Sequence, residues 1–273
     1  MNMNIFLYVI LFIMGSFFGS FYTLAVYRIP KRQDITHTHS YCPNCQHKLG
    51  LLDLIPIFSY IFLRGKCRYC KEKIRPRYLI LEIFSGCLFV ALGYVMKINI
   101  LNLTATKIAE FSFMVLYFTY IILICGIDKE NRKMNKMVLV YGIVISIMYM
   151  VYLCIVEKSN IYRYGIYLIL YIIVLIFDTI TLKRYAKNSY VIGNLLMIIT
   201  MVIFTGEYVT SNAIILTLLA IAIYILIYKL KERKNRNRKS DKEISKNISI
   251  GFYLGTANII ILMLVLLYNN YIW

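Results

Sequence analysis

Long apolar stretches alternate along this chain with short polar ones. Eight stretches approach or exceed the roughly 20 residues a helix needs to cross a bilayer: 4–27, 78–96, 108–127, 137–156, 162–182, 190–206, 211–228 and 248–271. The sixth is short, and glycines interrupt the first. The many Ile, Val and Tyr residues would suit strands. The stretches are too long for that and show no period of two, and lipid obliges backbone groups to pair within a segment. Helices are therefore expected throughout. The first stretch lacks a basic n-region, and Tyr27-Arg28-Ile29-Pro30 follows it instead of a small-residue cleavage site. It reads as a span, not as a removable signal.

Composition agrees. Of 273 residues, 60% are apolar or aromatic and only 16% are charged. An ordinary soluble domain has about 45–50% apolar residues. This chain could not cover itself with polar surface, and its large apolar content also excludes disorder.

The charge is lopsided, with 31 Lys and Arg against 13 Asp and Glu, a net +18. In a soluble protein that would suggest nucleic acid. Here it follows from topology, because cytoplasmic loops collect Lys and Arg, and no nucleic-acid partner is expected. Segment 28–77 carries eleven cations and segment 229–247 nine, and loops 128–136 and 183–189 are also basic. The intervening loops hold only Lys97, Lys107 and Lys158. With eight spans the basic loops share the cytoplasmic side, and both chain ends lie on the other. The 229–247 connector reads as a solvated loop beside anionic lipid. No repeat of 20–50 residues is evident.

Four of the seven cysteines form two pairs, Cys42-Pro43-Asn44-Cys45 and Cys67-Arg68-Tyr69-Cys70, with 21 residues between them. Two-residue spacing lets both thiolates of a pair face one ion, and two such knuckles complete a tetrahedron. The separation lies just beyond the usual four-cysteine zinc spacing. A cytoplasmic loop disfavours disulfides, so a structural Zn2+ is expected, its four thiolates leaving no position open for substrate. His37, His39 and His47 read as ordinary loop residues, and Cys87, Cys125 and Cys154 as packing within spans. The fold class expected is thus an all-α, polytopic membrane helical bundle of about eight spans with a cytoplasmic zinc-knuckle insertion.

The motifs stand in a characteristic order. Gly19-Ser20-Phe21-Tyr22 leads to Tyr27-Arg28-Ile29-Pro30 and then to Cys42-Pro43-Asn44-Cys45. Leu52-Asp53-Leu54-Ile55-Pro56-Ile57-Phe58-Ser59-Tyr60, Leu63-Arg64-Gly65-Lys66-Cys67-Arg68-Tyr69-Cys70, Ile74-Arg75-Pro76-Arg77-Tyr78 and Glu82 follow. In order and spacing, residues 19–82 closely resemble bacterial type IV prepilin leader peptidases, and the resemblance weakens towards the C-terminus. Such proteins are multispan inner-membrane enzymes of the GxGD intramembrane aspartic protease type. They cut the leader from type IV prepilins or pseudopilins and N-methylate the new terminus with S-adenosylmethionine. The resemblance implies three parts: 1–27 a first span, 28–77 a cytoplasmic zinc-binding loop associated with methyl transfer, and 78–273 a peptidase-like membrane domain. The partners it implies are prepilins or pseudopilins and the lipid bilayer.

The resemblance also implies a pair of aspartates near the cytoplasmic face. One must ionise to activate water while its neighbour keeps a proton to polarise the carbonyl. The first maps onto Asp128, in Gly126-Ile127-Asp128-Lys129-Glu130. The second falls in Val191-Ile192-Gly193-Asn194-Leu195-Leu196, where the family pattern is Gly-x-Gly-Asp-x-Lys. Gly193 is kept, but Asn194 stands at the aspartate position, and an amide cannot ionise or share a carboxyl proton. Met134-Asn135-Lys136 and Ile248-Ser249-Ile250-Gly251 depart from the pattern as well, so the change reads as natural drift. Two readings stay open: cleavage of prepilins, or a non-proteolytic relative that binds or methylates them. Asp178, near the end of the fifth span, is a candidate substitute acid. Asp53, Glu72 and Glu82 are candidate contacts for a basic leader, with intraloop ion pairs as the alternative for each.

Overall fold

In the computed structural model, the described residues are 3–35, 39–156, 161–184, 189–235 and 248–272. His37 and most of the 229–247 connector lie outside them. The helices are α1 (Met3–Arg28), α2 (Phe58–Phe62), α3 (Arg77–Val95), α4 (Ala105–Asn131), α5 (Lys136–Val156), α6 (Ile161–Arg184), α7 (Ser189–Asn235) and α8 (Ile250–Ile272). Among the described residues there is no strand, only two isolated antiparallel bridges in the 28–77 loop.

Among the described residues, six helices are long and apolar enough to cross a membrane, and α6 has a shorter apolar core, Tyr162–Phe177. The long α7 is broken at Gly206, where φ 80° and ψ 168° leave helical space. Asn194 faces Gly251, Thr205 bonds Asn258 and the Tyr224 ring meets Tyr253. The chain therefore runs along α8 up to residue 205 and back along it by residue 224. The two arms of α7 are antiparallel, and the eight apolar stretches are all accounted for. Only glycine adopts such a φ without steric cost, so the turn needs no separate loop.

Two compact units make up the chain, Met1–Val115 and Leu116–Trp273. In the first, α1 packs on α3 through small residues. A Cβ on Gly15 would lie 2.5 Å from the Ser85 carbonyl oxygen, and one on Gly19 would lie 2.7 Å from the Glu82 Cα. Gly15 and Gly19 are one helical turn apart, so the backbones meet without side chains between them. Close contact of this kind drives association where lipid is as apolar as leucine. Pro30 ends α1 and Pro76 precedes α3, setting the loop between two helix ends.

The second unit is held by aromatic packing and buried hydroxyls. Phe204 stacks between Tyr117 and Tyr149 at centroid distances of 4.7 and 4.6 Å. The Tyr117 hydroxyl donates to Asn258 Oδ1 at 2.6 Å, and Tyr171 bonds both Ser146 and Thr200. In a span the alternative for each group is an unpaired polar atom in hydrocarbon, so these bonds fix how the helices are rotated.

Candidate functional site

The two cysteine pairs build one compact cluster. The Cys42 N–H donates to the His47 carbonyl oxygen and the Gln46 N–H to that of Cys42; Cys67, Glu72 and Lys71 repeat both bonds. Gln46 and Lys71 hold φ values of 59° and 60°, and the bridges Tyr41–Lys48 and Lys66–Lys73 close the two turns. Every partner in one knuckle has its counterpart 25 residues on, a local recurrence that the search for repeats missed. The four Sγ atoms lie within 4.8 Å of one another, and Cys42 and Cys70 Sγ are 3.8 Å apart. A tetrahedral ZnS4 unit with bonds near 2.3 Å needs sulfurs about 3.8 Å apart, so the donor set fits a zinc knuckle.

The thiols differ in proton affinity. The Glu72 N–H, then the Cys45 and Cys67 thiols and Asn44, hold Cys70 down at about 7. Cys45 has a matching donor in the His47 N–H, which lowers it, but desolvation and the Cys70 and Cys42 thiols push it up to about 11. His47 stacks on Tyr69 with centroids 3.6 Å apart, a packing role, and the His39 carbonyl oxygen accepts from Arg28.

Beside the knuckles, α1, the loop and α3 enclose a cavity of about 500 Å³. Ligand sites commonly have volumes of this order. Asp53, Glu72 and Glu82 all line it, with Arg28, Arg68 and Tyr60. Arg28 is 4% exposed and donates to the Asp34 and His39 carbonyl oxygens, pinning the loop over the end of α1. Glu82 is buried in α3 and accepts from the Ile57 N–H at 2.7 Å. Asp53 pairs with Arg68 at 2.6 Å, and Glu72 is exposed.

The second unit gathers the acid site from three helices. Asp128 is fully buried in the last turns of α4. Its Oδ2 accepts from the Tyr190 hydroxyl at 3.1 Å and from the Phe252 N–H at 3.0 Å. The Tyr190 hydroxyl itself accepts from the Ile250 N–H at 2.8 Å. Asn194 spends its amide N–H on the Tyr190 carbonyl oxygen, one turn earlier in α7. Gly251 lies between the two side chains: a Cβ there would lie 3.1 Å from Asp128 Oδ2 and 3.5 Å from Asn194 Oδ1. Met134 packs against both Gly193 and Gly251. Among the described residues, the buried Asp128 Oδ1 and Asn194 Oδ1 have no hydrogen-bond partner.

Asp128 and Asn194 thus face each other across Gly251, with Gly193 beside Asn194 in α7. The site has one carboxylate and one amide, and by itself it cannot share a proton between two acids. Asp178 falls in α6, but its side chain lies outside the described residues. Tyr190 and the Phe252 N–H escaped the sequence reading. Tyr190 stands four residues before Asn194 on the same helix face, but nothing in the sequence sets it apart from the other tyrosines.

The fold and the knuckle define the class: a polytopic helical membrane protein with a tetrathiolate loop set between its first two spans. Residues 13–96 match the Bacterial Peptidase A24 N-terminal domain. Three relatives, all named prepilin leader peptidase/N-methyltransferase, align with part of the chain. That of Klebsiella pneumoniae is 36% identical over 92 residues, covering 32% of this chain and 40% of the relative. That of Bacillus subtilis (strain 168) is 44% identical over 84 residues, 31% of this chain and 34% of the relative. That of Vibrio cholerae is 39% identical over 87 residues, 29% and 34% respectively. The chain is thus similar, over about a third of its length, to prepilin leader peptidase/N-methyltransferases. It spans well under half the length of these relatives. No solved structure matches it significantly.

Proposed function

We propose that this protein acts on type IV prepilins or pseudopilins at the cytoplasmic face of the bacterial inner membrane. Its N-terminal unit recognises the leader and serves N-methylation, while its acid site is impaired for cleavage. The names of the relatives, each aligned with about a third of the chain, support the substrate class. Cys42, Cys45, Cys67 and Cys70 hold Zn2+, which orders the loop. S-adenosylmethionine is the methyl donor, and the cavity walled by Asp53, Glu72 and Glu82 offers acids to its positive charges.

The observation that carries the impaired site is Asn194 facing Asp128 across Gly251. Without a second carboxylate the general acid–base step loses one of its partners, which typically costs 10²–10⁴-fold in rate. A second reading, residual cleavage, draws on the two unpartnered oxygens, Asp128 Oδ1 and Asn194 Oδ1. These are acceptors that a substrate amide or water would satisfy.

Incubating the detergent-purified protein with a cognate prepilin and S-adenosylmethionine separates the readings by mass spectrometry. Leader release should be weak or absent in the unmodified chain and rise in Asn194→Asp. Full recovery is not expected, because Met134 still packs against both site glycines. Robust cleavage that disappears in Asp178→Asn would make Asp178 the second acid. Robust cleavage insensitive to Asp178 and abolished in Asp128→Asn would mean that one carboxylate suffices. Failure to bind or methylate any prepilin, leader or pseudopilin would remove the substrate class.

A further inference from the structure

The loop between α1 and α3 carries an apolar face that the knuckles do not use. Phe58, Ile61 and Phe62 stand at i, i+3 and i+4 on α2, which puts them on one face. All three are exposed, Phe62 at 81%. Leu51 and Leu52, in the turn just before, are also exposed, Leu51 at 87%. The opposite side of the segment is occupied: Ser59, Tyr60 and Leu63 line the cavity.

A hydrogen bond fixes the depth of this segment. The Ile57 N–H, at the start of α2, donates to Glu82. Glu82 lies five residues into α3, about 7.5 Å along the helix from its first residue at 1.5 Å per residue. The cavity wall reaches Ser20 on α1, a full two turns before that helix ends. Residues 54–63 therefore fold back alongside the spans instead of standing above them. Ile57 adopts φ 65° to make the bend, a costly conformation for a β-branched residue that the Glu82 bond helps to hold. Two exposed cations, Arg64 and Lys66, follow directly after α2.

We propose that residues 51–63 form an interfacial element that inserts Phe58, Ile61 and Phe62 into the bilayer leaflet on the knuckle side, with Arg64 and Lys66 at anionic lipid phosphates. Two features favour lipid over a protein partner. The face is continuous in depth with the lipid-exposed Ile80, Ile83 and Phe84 of α3. The exposed charges directly after it, Arg64 and Lys66, are basic, as in interfacial elements that meet anionic lipid, and the element's one acid, Asp53, is paired with Arg68. The element then serves as a membrane-level wall of the cavity and ties the zinc loop to the bilayer surface.

The test uses the full chain in nanodiscs containing anionic phospholipid. Trp273 is the only tryptophan, so Trp273→Phe gives a silent background. In it, Phe62→Trp reports on the apolar face and Asn44→Trp, in the first knuckle, on water. Lipids brominated on the shallow acyl carbons, at the depth of about 5–10 Å that interfacial helices reach, should quench the Phe62→Trp emission several-fold more than that of Asn44→Trp. Retained zinc certifies the fold, and Ile61→Trp replaces Phe62→Trp if it does not. Equal, weak quenching at both sites overturns the proposal. So does a blue shift at Phe62→Trp without bromine quenching, because the face would then be covered by protein, whether a second copy or a bound substrate.

Discussion

The two knuckles of the N-terminal unit share one backbone geometry, bond for bond, at an offset of 25 residues. The Asp128 site repeats nothing: it draws one carboxylate from α4, a phenol and an amide from α7 and a backbone N–H from α8. The first site is local, and each half is specified by about ten consecutive residues. The second is assembled across 124 positions of sequence, from Asp128 to Phe252. A local site tolerates drift around it as long as its few residues stay. A distributed site changes character with a single atom, as a carboxylate oxygen in place of the amide nitrogen of Asn194 would change this one. The family match to an N-terminal domain, residues 13–96, contains the whole of the local site.

Breaking the local site should have the greatest consequence. Structural zinc supplies about 10–16 kcal/mol of apparent folding free energy in small knuckle peptides. Cys67→Ser should therefore lose the metal and unfold the 28–77 loop, read by metal analysis and by protease cleavage within the loop. Cys125→Ser, in the other unit, should keep full metal content. Equal zinc in Cys67→Ser and the parent would remove the tetrathiolate assignment.

The distributed site should respond more mildly. Tyr190→Phe removes a donor to Asp128 and an acceptor from the Ile250 N–H, both on one hydroxyl. Leaving buried polar groups unpaired costs about 1–3 kcal/mol. A lower melting temperature in detergent with unchanged zinc is the expected result. An unchanged melting temperature would mean that the Tyr190 link between α4, α7 and α8 holds nothing together.

What the sequence made legible follows the same division. The apolar stretches announced their helices because a bilayer permits little else, and the cysteine spacing announced the knuckle because four thiolates at two-residue spacing have few other uses. Gly206 was harder: the sequence reading placed a loop at 207–210, whereas one glycine at φ 80° makes the whole turn. Asp128 was found by resemblance, yet its partners were not. A backbone N–H such as that of Phe252 carries no side-chain signature, and a tyrosine in a tyrosine-rich chain does not stand out among 25. The depth of residues 51–63 was equally hidden, since it depends on where the Ile57 N–H finds its acceptor.

The mildest substitution probes the cavity. Asp53 bonds Arg68 at 2.6 Å; the Arg68 side chain is 46% exposed and that of Asp53 only 5%, and Asp53 Oδ2 also accepts from the Gly50 N–H at 3.2 Å. A pair with one exposed partner contributes about 0.2–1 kcal/mol and a backbone N–H bond about 1 kcal/mol, so Asp53→Ala should lower the melting temperature only modestly. If Asp53 and Glu72 also meet a basic leader, the double variant Asp53→Ala, Glu72→Ala should crosslink less prepilin at the same zinc content. The deficit should shrink as salt rises, because screening weakens the contact in the parent too. Undiminished crosslinking would leave Asp53 as an intraloop ion pair and Glu72 as an exposed surface acid, and would shift leader recognition to the buried Glu82 or away from this cavity altogether.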